Sequence, residues 1–430
     1  MSDDDTIRRS IADWIMQAAL QGLGMPKLIE GTSNRLLAAG VPLSRSHVSF
    51  RTLHPSFESV SLVWYRGRGI SEQEFAHGAG DTRSWMQSPF HFMVDNGIGL
   101  LRRHLVGRSK VLDFPVLTNL TDEGFTDYLA IVVPFDSPDI SVGGNRRDGI
   151  ATSWVTDRDG GFSDMHLLIL QNAVQRLAVA CKLSIREQIA RNVADAYLGQ
   201  SAGREVLNGH IRLGDYENLT AVAWYSDLRD STGRVERLGM ERYLALLNGF
   251  LGCTAGAVQA YGGEILAYPG DAVLAIFRNN NPAEAAQSAI EAAAEARRRL
   301  FDVNSNLASL GQELIEAGLA VHRGELAFGN IGTGGRQSFT VIGPAINVVN
   351  RLEQMTKTQP YKVIISETVV DSLGQDDRPV LHSLGRQAVR GSGFALTAFG
   401  ATDETMLRYK APPGYIETIL SFTSPSLEPA

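Results

Sequence analysis

The stretch Ala221-Val-Ala-Trp-Tyr-Ser-Asp-Leu-Arg-Asp-Ser-Thr232 is an apolar run that carries Asp227 to its end and then breaks into short polar residues. It reads as a core strand running into a turn before a helix. A second aspartate follows in a similar setting: Gly262-Gly263 opens a turn, and Glu264-Ile-Leu-Ala-Tyr-Pro-Gly-Asp271 leads into the apolar run Ala272-Val-Leu-Ala-Ile-Phe277. Two carboxylates on neighbouring strand ends can share divalent cations, because Mg²⁺ takes a few hard oxygen ligands together with substrate phosphates.

The chain around these residues has 430 positions, enough for two or three domains, with 44% apolar and 20% charged residues. Its net charge of −7 argues against a general nucleic-acid or anionic-membrane surface. Cys181 and Cys253 give neither a disulfide framework nor a metal-ligand spacing and read as core thiols. The start, Met1-Ser-Asp-Asp-Asp-Thr, is acidic where a secretory leader would be basic, and no run approaches the length of a membrane span, so a soluble cytoplasmic protein is expected.

Residues 7–39 repeat apolar side chains at three- and four-residue steps and predict helix. Strands are expected at 47–53, 60–65, 128–135 and 150–155, with a helical middle at 90–105 and a helix over 164–181. This is an α+β sandwich of GAF-like element order, which resembles a sensor domain with an unidentified small-molecule or protein signal. Trp64, Tyr65, Trp85, Phe90 and Phe92 read as core, or alternatively as the lining of a ligand pocket, and His91 and His104 as hydrogen-bonded rather than ligating residues. A charged helix over 183–209 is expected to be either a parallel coiled-coil linker or a helix packed on its own domain.

Beyond it the pattern alternates: strand 219–226, helix 237–257, hairpin 262–277, and a helix 282–301 ending in the cationic triplet Arg297-Arg-Arg299. Strands follow at 316–321, 325–331 and 338–342, then a helix opened by Gly343-Pro344 and final strands at 361–365 and 395–399. On the late helix Asn347 and Arg351 are four residues apart and share a face. An amide and a guanidinium there suit a ribose oxygen and a phosphoryl group.

Three blocks now stand in order: Trp224-Tyr-Ser-Asp-Leu-Arg-Asp-Ser-Thr232, Gly270-Asp-Ala-Val-Leu-Ala-Ile-Phe277 and Phe339-Thr-Val-Ile-Gly-Pro-Ala-Ile-Asn-Val-Val-Asn-Arg-Leu-Glu353. Through them residues 215–400 resemble the catalytic domain of class III nucleotidyl cyclases, a ferredoxin-like fold. The resemblance implies that Asp227, Asp271 and the carbonyl of Leu228 hold two Mg²⁺ or Mn²⁺ ions, that Asn347 orients the ribose of ATP, and that Arg351 stabilises the transferring phosphoryl group. The backbone around Arg229, Asp230, Ser231 and Thr232 would cradle the triphosphate. It implies a homodimer as well, since the family's site takes its aspartates from one domain and its Asn–Arg pair from another. The domains so expected are 1–182 (sensor), 183–212 (linker), 213–405 (cyclase) and a tail, 406–430.

The departures bear on substrate choice. Ala267 stands where the family has a base-selecting lysine, Thr340 fits the position of its base-reading partner, and GTP therefore stays open beside ATP. Asp230 replaces a common glycine and would repel triphosphate unless it points away or joins the metal site. Arg390 is the nearest candidate for a late triphosphate-binding cation. Two readings follow: a sensor-regulated cyclase making cyclic AMP, or a cyclase-like domain that binds nucleotide or only dimerises.

Overall fold

The computed structural model describes residues 3–54, 57–76, 83–135, 148–333, 335–388 and 395–411. The chain divides into two compact units, Met1–Ala196 and Tyr197–Ala430.

The first unit runs α1 (Asp3–Leu20), α2 (Met25–Ala38), β1 (Arg45–Arg51), β2 (Phe57–Tyr65), β3 (Gly69–Ala76), α3 (Arg83–Met86), α4 (Pro89–Asp95), β4 (Leu100–His104), α5 (Pro115–Asp122), β5 (Asp127–Pro134), β6 (Gly149–Thr156) and α6 (Asp164–Leu198). Its six strands form one antiparallel sheet in the order β3-β2-β1-β6-β5-β4. One face buries Val48, Leu62, Leu129 and Trp154 against Ile15, Leu28 and Leu36 of α1 and α2 and Leu170, Val174 and Leu177 of α6. The other face packs Tyr128 and Ala130 on Phe90 and Met93 of α4 and Leu117 and Leu120 of α5.

Two expectations are corrected here. The helical middle at 90–105 is helix only to Asp95; Gly97 adopts φ +66, and Leu100–His104 pairs with β5 as a strand. The separate linker helix merges with the helix before it, because no glycine or proline interrupts Asp164–Leu198, and the break comes at Gly199, with φ +85. Of the aromatics, Trp64 and Phe90 are buried core. His91 and His104 face carboxylates, Asp95 at 3.4 Å and Asp127 at 3.5 Å.

The second unit runs α7 (Gln200–Leu207), β7 (Tyr216–Leu228), α8 (Ser231–Leu238), α9 (Met240–Ala260), β8 (Glu264–Ala267), β9 (Ala272–Phe277), α10 (Pro282–Ser309), β10 (Ala317–Thr333), β11 (Arg336–Ile342), α11 (Pro344–Met355), β12 (Val363–Ser366), α12 (Glu367–Val370), β13 (His382–Ala388), β14 (Ala395–Ala401) and α13 (Asp403–Arg408). The sheet order is β13-β14-β12-β10-β7-β9-β8, with β11 paired to the far half of β10; only β10 and β12 run parallel. On one face Val222, Trp224 and Leu228 of β7 meet α9 and the alanine-rich side of α10. On the other, Ala223, Ala320 and Ile364 bury Val348, Val349 and Leu352 of α11.

The helix expected over 237–257 is two, split at Gly239 with φ +76. α9 is long and apolar enough by length and composition to cross a membrane, which corrects the expectation that no run is; its Tyr243, Phe250, Cys253, Ala257 and Val258 lie in the core. The triplet Arg297–Arg299 sits three turns before the end of α10, not in its last turn. There Arg298 and Arg299 pair with Glu295 at 3.1 and 2.8 Å, and Arg297 pairs with Asp403 at 2.7 Å.

Candidate active site

Alternation along β7 decides which way Asp227 points. Val222, Trp224 and Leu228 are committed to the α9–α10 core, so Ala223, Tyr225 and Asp227 face α11. Asp227 stands opposite Ala272 of β9, the neighbour of Asp271, and opposite Gly318 of β10. The two aspartates therefore sit at adjoining strand ends. Burial first, and then the charge of Asp271, hold the Asp227 carboxyl above the usual range, while Lys357 and Arg229 pull it down.

Ser231 joins the pieces. Its hydroxyl contacts Oδ2 of Asp271 and lies 3.5 Å from the Leu228 carbonyl oxygen. Two carboxylates, a hydroxyl and a main-chain carbonyl are all hard oxygens, a donor set that fits Mg²⁺ or Mn²⁺, and a divalent cation would relieve the repulsion that Asp271 exerts on Asp227. Among the described residues no group of three or more His, Cys, Asp or Glu side chains could hold a metal ion.

The turn after Leu228 is held from below. Arg234 is buried, and its guanidinium donates to the carbonyls of Arg229 and Leu314, each at 2.8 Å. Asp230 adopts the left-handed conformation, φ 56 and ψ 39, which aspartate tolerates better than most residues. Its carboxylate pairs with Arg237 at 2.9 Å, and Arg237 also reaches Glu313 at 2.7 Å. The acid thus points along its own helix into a cationic partner. Ser231 and Thr232 begin α8 and leave first-turn N–H groups that no helical carbonyl reaches.

Arg229 differs from its expected place in the phosphate cradle. Its amide already donates to the Glu316 carbonyl at 2.9 Å. Its side chain turns inward to Glu353 Oε1 at 2.8 Å, to the Thr356 hydroxyl and, at 3.8 Å, to Asp227. Gly318 makes room for this pair: a Cβ there would fall 1.9 Å from Arg229 Nη2 and 2.5 Å from Glu353 Oε1. Glu353 is 1% exposed, and burial raises its pKa despite Arg229.

On α11, Asn347 is exposed and Arg351 half-buried, and among the described residues neither side chain forms a hydrogen bond or ion pair. Nothing bonds them to the aspartates of their own chain. The side of α11 turned to Asp227 carries Glu353, which pairs with Arg229; Lys357 follows just past the helix, with Nζ 3.5 Å from Asp227 Oδ2. Sequence reasoning gave no role to Tyr225, Glu353 or Lys357. Glu353 and Tyr225 lay within the quoted blocks, but nothing in the spacing flagged Lys357.

Ala267 ends β8 opposite Leu274, after a register shift between Ile265 and Ala267, and Thr340 of β11 pairs with Gly329 of β10. Their neighbours Leu266 and Phe339 join one apolar cluster with Tyr225, Leu274 and Ile346, so β8 and β11 border the same ground. Arg390 lies outside the described residues.

No family model matches the chain. It is 27% identical over 212 residues to the terminal-differentiation-specific adenylate cyclase of Dictyostelium discoideum, covering 48% of this chain and 10% of that protein. To an adenylate cyclase of Anabaena cylindrica it is 26% identical over 238 residues, 54% of this chain and 47% of the other. The chain is similar to adenylate cyclases. It spans a tenth of the first relative and about half of the second. Solved structures like it include the adenylyl cyclase CyaB from P. aeruginosa, with 22% identity over 43% of this chain and 95% of that one and a TM-score of 0.39. Another is the guanylyl cyclase Cya2, with 27% identity over 43% and 92% and a TM-score of 0.37.

Proposed function

We propose that the C-terminal unit is the catalytic domain of a nucleotidyl cyclase that converts ATP to 3′,5′-cyclic AMP and pyrophosphate in the cytoplasm. The observation that carries this reading is the meeting of Asp227, Asp271, the Ser231 hydroxyl and the Leu228 carbonyl at one turn. Asp227 and Asp271 would hold two Mg²⁺ or Mn²⁺ ions, whose chemistry when bound is to acidify the substrate 3′-hydroxyl and to neutralise phosphate charge. The first-turn amides at Ser231 and Thr232 would receive phosphate oxygens at the positive end of α8. Arg351 would stabilise charge on the α-phosphoryl oxygens during in-line displacement, and Asn347 would fix the ribose.

Asn347 is exposed on α11, and neither its side chain nor that of Arg351 is hydrogen-bonded or ion-paired among the described residues, so both are open to a second chain; this supports a homodimer in which each chain completes the other's site. The six-stranded sheet covered by helices on both faces supports a GAF-like sensor role for the N-terminal unit, with α6 leading toward the cyclase. Ala267 favours a second reading, a nucleotide-binding or dimerising module without turnover, because a methyl group cannot hydrogen-bond a purine.

The test is product formation by the purified full chain from ATP or GTP with Mn²⁺ or Mg²⁺, beside Asp271→Ala. Cyclic nucleotide that disappears in the variant supports the enzyme. No product from the full chain or from residues 205–430 supports the module.

A further inference from the structure

Arg229 Nη1 is buried and has no hydrogen-bond partner, although it stands 3.8 Å from Asp227 Oδ2. A buried donor left unmade is costly, and its position calls for a physical reason. The other half of the same guanidinium is engaged: Nη2 pairs with Glu353 Oε1 at 2.8 Å and donates to the Thr356 hydroxyl. Thr356 in turn donates to the Glu353 carbonyl oxygen at 2.6 Å, which fixes both acceptors at the end of α11. The guanidinium is thus drawn toward α11 and held just short of the carboxylate.

Among the described residues the carboxylates that Arg229 pairs with are Glu353 and Asp227. The side chains of Arg229 and Glu353 are 14% and 1% exposed, so water is a poor substitute for either partner. Asp227, Asp271 and Glu353 set three negative charges against the two positive charges of Arg229 and Lys357. Neutralising Glu353 alone removes the surplus negative charge, and removing Glu353 together with Arg229 restores it.

We propose that Glu353 is a positioning residue for the cation site of Asp227 and Asp271. The role rests on the cyclase reading above. Glu353 holds Arg229 off Asp227, so the Asp227 oxygens stay free for a divalent ion instead of closing an internal ion pair. Without the Glu353 carboxylate, Arg229 turns to Asp227 and competes with the ion.

The test is electron paramagnetic resonance titration of the full chain with Mn²⁺ alone, without nucleotide. It compares wild type, Asp271→Ala, Glu353→Gln, Arg229→Met and the double change Arg229→Met with Glu353→Gln. Wild type should bind Mn²⁺, and Asp271→Ala should lose that binding. Glu353→Gln should bind about tenfold more weakly, Arg229→Met no more weakly than wild type, and the double variant within about threefold of wild type. A pair that only stabilises the fold would weaken binding in all three. Binding that Glu353→Gln leaves unchanged, or a double variant as weak as Glu353→Gln, overturns the proposal and leaves the cation site standing. No Mn²⁺ binding to wild type, or binding that Asp271→Ala leaves intact, overturns the cyclase reading and the proposal with it. If circular dichroism shows Glu353→Gln to be misfolded, Arg229→Met and the double variant decide, and a tenfold loss in either contradicts the role.

Discussion

Lys357 Nζ stands 3.5 Å from Asp227 Oδ2, so the chain just beyond α11 brings a cation to the carboxylate that a metal would need. Unit charges at that range interact by about 4 kcal/mol at an effective dielectric of 20. Lys357 is 51% exposed, and solvent and salt reduce this to on the order of 1 kcal/mol. Lys357→Met should therefore tighten Mn²⁺ binding several-fold, measured by electron paramagnetic resonance titration. Weaker binding would mean that Lys357 orients Asp227 instead of competing with the ion.

Arg229, mostly buried, and Glu353, fully buried, form an ion pair beside the same carboxylate. Removing one partner strands a charge in the core, which typically costs about 3–5 kcal/mol. Glu353→Ala should lower the stability of the C-terminal unit by that order in urea unfolding, and Arg229→Met combined with Glu353→Met should recover much of the loss. Equal destabilisation by the single and double changes would contradict this.

Asp230 holds a left-handed backbone conformation that costs a non-glycine residue about 1–2 kcal/mol. Its exposed pair with Arg237 returns little. Asp230→Gly should leave thermal stability unchanged or higher, whereas Asp230→Ala should lower it by about 1 kcal/mol. A glycine variant less stable than the alanine one would show that the Arg237 contact dominates.

Acid should weaken both units through His322, which is buried, and His47, which is half-buried. Burial depresses His322 to about 4 and, with help from Arg45, His47 to about 3. The folded forms resist protonation while the unfolded chain takes it up near pH 6.5, so stability is full above that pH and falls as pH drops toward the folded values. From pH 7 to 5 each histidine should remove about 2 kcal/mol, read from urea midpoints, and His322→Gln should flatten the slope for the C-terminal unit. A slope that His322→Gln leaves unchanged would assign it to other groups.

Much of the C-terminal unit was legible because its strands are apolar runs with turn residues between them, and because Asp227 and Asp271 fall where those runs end. Tertiary contacts hid the rest. The sequence marks Arg229 as a turn residue, and only the room left by Gly318 lets its side chain turn inward to Glu353. Lys357 reaches Asp227 across 130 positions, a distance no local pattern encodes. In the N-terminal unit the strand Leu100–His104 was missed because its alternation is brief and three of its five residues are charged or imidazole. The Arg297–Arg299 triplet misled because helix α10 continues through polar residues to Ser309.

The central claim is that Asp271 of one chain works with Arg351 of another. The most direct measurement mixes two inactive variants, Asp271→Ala and Arg351→Ala, and assays cyclic nucleotide formation. Random pairing makes half of the dimers mixed, each with one intact composite site, so the mixture should regain roughly a quarter of wild-type activity. Two variants that stay inactive together, under conditions where the wild type turns over and exchanges subunits, would contradict a site shared between two chains.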